Sequence, residues 1–209
     1  AVQDVQYLVT FAVMLTVALV VGQLTAGLRF QAADARKREH RMRALYEMSR
    51  ELSSALSVEQ IIEICGVFFK RGFNGSVAVF LPGREGRVTL ADGAPLRPEI
   101  DEGIAQWSHD HGQSAGTGTD TLPSAQALYI PLKAPSRKCG VLAILPDSPS
   151  WERPPDQQQL LDTSATLIAI ALERVHFVTL SRDAQVHMES ERLRNSLLSA
   201  ISHDLRTPL

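Results

Sequence analysis

The stretch ALYIPLKAPSRKCGVLAIL, Ala127 to Leu145, decides the fold. Its two apolar runs, ALYIPL at Ala127 to Leu132 and CGVLAIL at Cys139 to Leu145, are short and bounded by Gly and Pro, as β-strands are. Two further runs of this kind lie upstream, SVAVFL at Ser76 to Leu81 and RVTL at Arg87 to Leu90. Together the four predict one mostly antiparallel sheet.

Helical patterns surround these runs. Ser57 followed by Gln60 reads as a capping box, and Val58, Ile61, Ile62, Cys65, Phe68 and Phe69 then line one face of a helix. Between the second and third strands, Ile100, Ile104 and Trp107 fall at i, i+4 and i+7 of an amphipathic helix, and the loop HGQSAGTGTDTLPSA follows it. The order helix, strands, helix and loop, strands, helix predicts an α+β domain over 57–172. A ligand pocket in it would lie between the sheet and the Trp107 helix and loop. Gly116 and Gly118 do not make a phosphate cradle, because GxGxxG, a Walker lysine and the strand-to-helix context are all missing. No Ser/His/Asp or paired-carboxylate constellation stands out in this domain, which therefore reads as a binding or relay module.

The segment YLVTFAVMLTVALVVGQLTAGL, Tyr7 to Leu28, carries no charged residue and has the length, about 20 residues, that crosses a bilayer. A signal peptide would be shorter and would follow a basic stretch, which this segment lacks. Arg29, Arg36, Lys37, Arg38, Arg41 and Arg43 crowd its C-terminal side, whereas Asp4 is the charge before it. The positive-inside rule then places residues 1–6 outside and the chain after Leu28 in the cytoplasm. The basic cluster acts as a topology determinant and can also contact anionic headgroups. Residues 29–56 read as a juxtamembrane helix, with Met42, Leu45, Tyr46, Met48 and Leu52 recurring at three- and four-residue steps.

After Trp151 and Pro154-Pro155 no Gly or Pro occurs until Pro208, a run well beyond a typical globular helix. Leu160, Leu161, Leu167, Ile168 and Leu172 make its first part apolar enough to pack on the sheet. Over 173–195 the stripe narrows and charge increases, which predicts a coiled-coil connector and hence a homodimer.

Net charge is -2, with no basic face to suggest nucleic acid as a partner. Cys65 and Cys139 sit in apolar surroundings without metal-type spacing, so they read as reduced core residues and no metal site is expected. The chain opens on Ala1 and stops at Leu209 within a helical pattern, which leads us to expect a piece of a longer protein.

Leu193, Leu197, Ile201 and Leu205 form an inner stripe, and His203 lies about 200° around the helix from Ile201, facing water or a partner. A neutral imidazole, with an ordinary pKa of about 6.5, is nucleophilic at cellular pH. The surrounding SHDLRTPL, Ser202 to Leu209, resembles the phosphoacceptor signature of the sensor histidine kinases. That resemblance implies His203 as phosphoacceptor, Asp204 as the carboxylate that orients and helps deprotonate it, and Thr207 as the position that aligns water for dephosphorylation. Pro208, which lacks an N–H, would loosen the helix just beyond that turn.

Two further stretches, GQLTAGLRFQAADARKREHRMRALYEMSRELS and IAQWSHDHGQSAGTGTDTLP, resemble the branch of these kinases that governs potassium supply. The resemblance spans nearly the whole chain. It implies a last transmembrane helix at 7–28, a GAF domain, and the start of a dimerisation and histidine phosphotransfer domain at 196–209. The implied activity is protein-histidine kinase in the full-length protein, with ATP and Mg2+ bound by a catalytic domain outside these 209 residues. No cofactor is expected in the 209 residues, which alone should be inactive. The implied partners are a second copy, a response regulator of potassium-transporter genes, and the membrane. The alternative is a membrane-anchored GAF small-molecule receptor with another output and an incidental His203. Whether the GAF domain grips a ligand or only relays mechanical change is left even.

Overall fold

The structure is a computed structural model that describes residues 14, 15, 18, 19, 23, 36, 38–83, 86–92, 97–148 and 155–204; the side chains of 155, 156 and 195–204 are outside the described residues. The chain divides into two compact units, Ala1–Tyr46 and Glu47–Leu209. In the first, the predicted membrane segment at 7–28 lies mostly outside the described residues. Those that are described there are helical and exposed, among them Met14, Leu15 and Leu19.

The second unit is a five-stranded antiparallel sheet with helices on both faces. A helical run over 38–54 (α1), of which 47–54 belongs to this unit, leads into α2 (Val58–Phe73), β1 (Gly75–Pro82), β2 (Val88–Leu90), α3 (Glu102–His111), β3 (Ala115–Gly116), β4 (Leu128–Lys133), β5 (Lys138–Pro146) and α4 (Pro155–Asp204). The strand order is β2-β1-β5-β4-β3. Four strands fall where the apolar runs predict them. The fifth, β3, lies within the expected loop, where Ala115 pairs with Tyr129 and Gly116 with Leu128. Two residues are too few to show a period, so only pairing reveals this strand.

Both faces of the sheet are covered, which is why β1 and β5 read as nearly continuous apolar runs rather than alternating ones. On one face Val77, Val79, Leu128, Leu132, Leu142 and Ile144 meet α1, α2 and α4 through Leu52, Ile61, Phe69, Leu161 and Ile168. On the other, Ala78, Phe80, Tyr129, Val141 and Ala143 meet Ala105 of α3. The alanines on this second face let α3 lie close.

The caps explain the helix boundaries. Ser57 accepts from Gln60 N, while the Gln60 side chain accepts from Leu56 N at 2.7 Å, one residue earlier than a strict capping box. Asp101 caps α3 through Gly103 and Ile104 N–H groups. The buried positions of α3 are therefore Ala105 and Ser108; Ile100 precedes the helix and Trp107 is half-buried. Ile100 and Ile104 pack against this face from its edge, as the predicted stripe has them, while Ala105 and Ser108 are its fully buried positions. Along α1, Met48 and Leu52 are buried as expected, whereas Met42 and Tyr46 are exposed.

By length and composition Gln157–Arg194 would suffice to cross a membrane. Its apolar residues instead complete the domain core as far as Val175, with Leu161, Ile168 and Leu172 buried. Beyond Val175 every described position is exposed, including Phe177, Val186, Met188 and Leu193.

Candidate functional site

One helix joins the domain core to His203 and Asp204. α4 is continuous from Pro155 to Asp204, so the backbone of His203 and Asp204 is helical. From Val175 to His203 is about 42 Å at ~1.5 Å per residue. Of their side chains nothing is described, and Thr207 and Pro208 lie outside the described residues.

Where α4 leaves the core, two adjacent residues fasten it to different elements. Arg174 Nη2 donates to the carbonyl oxygens of Leu52 at 2.7 Å and Ala55 at 2.6 Å, and Nη1 donates to that of Ser53. These carbonyls lie at and just past the C-terminus of α1, where Leu52 O also accepts from Ala55 N at 3.3 Å, and a guanidinium is suited to them because it carries donors and positive charge together. Glu173 accepts from the backbone N–H of Ser136 at 3.2 Å and from its hydroxyl, in the β4–β5 turn. Neither residue forms a recognisable motif, since each bonds groups far away in sequence.

The loop after α3 is held in shape at three points. Ser108 Oγ donates to Gln113 O at 2.8 Å. Thr119 Oγ1 lies 2.8 Å from Gly116 O and 2.7 Å from Thr121 O. Gly116 has φ +98, and a Cβ there would stand 2.0 Å from Ala127 O, so only glycine fits. The loop is therefore shaped by its own hydrogen bonds and by the turn at Gly116.

That loop, β4 and the start of α4 enclose a cleft of about 450 Å³. Its floor is Leu128, Ile130 and Leu161. The loop contributes Gln113, Ser114, Asp120 and Thr121 to its walls, and α4 contributes Gln158 and Asp162. The floor residues belong to the helical core on the face opposite α3, so the cleft is not where a pocket beside the Trp107 helix was expected. Trp107 instead stacks on His111, with ring centroids 4.3 Å apart.

The other titratable groups nearby have structural explanations. Gln106 donates to Asp110 Oδ1 at 2.9 Å and holds that carboxyl below the ordinary range, assisted by His109 and His111 against partial burial. Lys138 Nζ donates to Asp110 O at 2.6 Å, capping the α3 C-terminus. Cys65 and Cys139 are buried free thiols, as expected. Burial pushes Cys65 up to about 12 and raises Cys139 as well, which keeps both protonated and inert. Among the described residues no cluster of His, Cys, Asp and Glu could hold a metal ion.

Residues 57–174 match the family described as GAF domain, and residues 1–38 match Domain of unknown function (DUF4118). Over 209 residues the chain is 45% identical to the sensor protein KdpD of Escherichia coli, covering 100% of this chain and 23% of that protein. It is 33% identical over 217 residues to the sensor protein KdpD of Clostridium acetobutylicum, covering 100% of this chain and 24% of that one. The chain thus spans about a quarter of the length of these relatives. A solved structure, the native GAF domain of the potassium sensor histidine kinase KdpD from Escherichia coli, superimposes with a TM-score of 0.58 at 35% identity. It covers 66% of this chain and 96% of its own.

Proposed function

The chain belongs to the GAF domain family, and on that premise we propose that it is the stretch of a KdpD-type membrane sensor histidine kinase that links membrane to phosphoacceptor. The observation that carries this reading is α4. A helix whose first part is core of the GAF domain runs on without a break to His203, so any shift of the core is delivered mechanically to that turn. The similarity to two KdpD sensor proteins along the full 209 residues supports it.

In this proposal ATP with Mg2+, held by a separate catalytic domain, supplies the γ-phosphoryl group, whose bond to the bridging oxygen breaks as ADP leaves. The neutral ring of His203 accepts it through one nitrogen, Asp204 orients the ring and takes the proton from the other, and Thr207 aligns water when the phosphate is removed. The protein works as a homodimer through the exposed stripe beyond Val175. It passes phosphate to a KdpE-like response regulator of potassium uptake from the cytoplasmic side of the inner membrane.

The test is incubation of full-length protein in membranes with γ-labelled ATP, comparing wild type with His203→Gln. Acid-labile, base-stable label on wild type alone is the expected result. Label on both proteins, or on neither while a control kinase is labelled, would overturn the proposal.

A further inference from the structure

We propose that Arg174 is a positioning residue for the signal: its bonds to the end of α1 form the joint through which movement of α1 reaches α4 and, along that helix, His203. The inference deepens the proposed function and rests on it, because the output it names is phosphate on that histidine.

The joint stands where α1 stops and α4 leaves the core. Residues 38–54 are one helical run, and the guanidinium takes the carbonyl oxygens of Leu52, Ser53 and Ala55 at its end. Val175, the next residue of α4, is buried, whereas every position from His176 to Arg194 is exposed. Arg174 therefore holds α4 at the last turn that the domain core controls. A displacement of α1 along or about its axis carries these three acceptors with it and draws on the guanidinium.

Glu173 gives the joint its fulcrum. It accepts from the backbone N–H of Ser136 at 3.2 Å and from the Ser136 hydroxyl, in the turn between β4 and β5. Adjacent helical residues project about 100° apart, so the two neighbours hold α4 in two directions, one toward the sheet and one toward α1. When α1 draws on Arg174 while the sheet retains Glu173, α4 pivots there, and its length beyond the core amplifies the movement.

Packing beside the joint permits such a pivot. A groove of about 170 Å³ lies between α1 and α4, lined by Ser49, Leu52, Ser53, Leu167, Ile170 and Arg174. Ile170 is 45% exposed there. Interlocked side chains resist sliding; at this groove hydrogen bonds bridge the two helices instead. The guanidinium is half-buried, so water can replace it at the carbonyls, and the bonds can be made in one state and broken in another. Hydrogen bonds to a charged group are strong enough to move a two-state balance about tenfold.

The experiment moves α1 in the full-length membrane protein by inserting one alanine between Arg43 and Ala44. The insertion is made in wild type, in Arg174→Met and in Tyr129→Phe, which removes a buried hydrogen bond on the other face of the sheet. One readout is the distance between spin labels on Glu63→Cys of α2 and Ala184→Cys of α4, both exposed positions. The other is the ratio of His203 autophosphorylation to dephosphorylation of the response regulator. The insertion should shift both readouts in wild type and in Tyr129→Phe, the ratio by about tenfold, and neither in Arg174→Met. An unshifted distance in wild type, or an equal shift in Arg174→Met, would overturn the joint. A shifted distance with an unchanged ratio would overturn its link to phosphate, and a shifted distance with no label on wild-type His203 would overturn the phosphoacceptor reading alone. If Arg174→Met melts below the assay temperature, Arg174→Lys replaces it, and a shift not reduced by at least about half would overturn the joint.

Discussion

Arg174 on α4 donates to the carbonyl oxygen of Ala55 at 2.6 Å, across 119 positions of sequence. Together with its bonds to Leu52 and Ser53 it ends α1 and fixes the point at which α4 leaves the core. The helix that enters the domain and the helix that leaves it therefore share one guanidinium.

Replacing Arg174 by Met keeps much of the apolar stem but removes all three donors. Hydrogen bonds to a charged group contribute about 1.5 to 3 kcal/mol each in favourable cases, and the freed carbonyls regain water here. We expect a net loss of about 2 kcal/mol in urea unfolding, with Arg174→Lys intermediate because a single ammonium reaches fewer acceptors. Unchanged stability in Arg174→Met would show that the bonds contribute nothing net.

Gly140 has φ +145, and a Cβ there would lie 2.0 Å from Phe80 O on the paired strand. Gly140→Ala should destabilise the domain by about 3 kcal/mol, because backbone strain and a clash with a backbone oxygen add together. The expected sign in a thermal melt is a lower transition and faster amide exchange along β1 and β5.

Tyr129 is fully buried, and its hydroxyl accepts from Asp101 N at 2.7 Å, anchoring the start of α3 to the sheet. Tyr129→Phe leaves that N–H without its partner and should cost about 1 to 2 kcal/mol. Hydrogen exchange should quicken first at Asp101, Gly103 and Ile104, not along β4.

Burial holds the Cys65 thiol up at about 12. A group whose folded-state pKa is raised stabilises the fold below its unfolded pKa, and that contribution fades as pH rises toward the folded value. Stability should therefore fall between about pH 9 and 12, and fall less steeply in Cys65→Ala. In the native protein at pH 8, thiol reagents should leave Cys65 unmodified until denaturant is added; rapid native labelling would contradict its burial.

Much of this protein is set by local pattern. The apolar runs at Ser76 to Leu81 and Cys139 to Leu145 become β1 and β5, and Ser57 starts α2, because strand period, turn residues and capping chemistry each act within a few residues. The buried thiols and the long helix ending near His203 are legible for the same reason. What the sequence could not announce are features made by meetings between distant residues. The two-residue strand Ala115–Gly116 exists because β4 lies beside it. The small face of α3 follows from Ala78 and Ala143 opposite it. Asp120 and Asp162 share a cleft, and Arg174 finds the end of α1, only once the sheet has brought the loop and both helices together. Local chemistry determines which elements form, whereas long-range packing decides which side chains face one another, and no spacing along the chain encodes that distance.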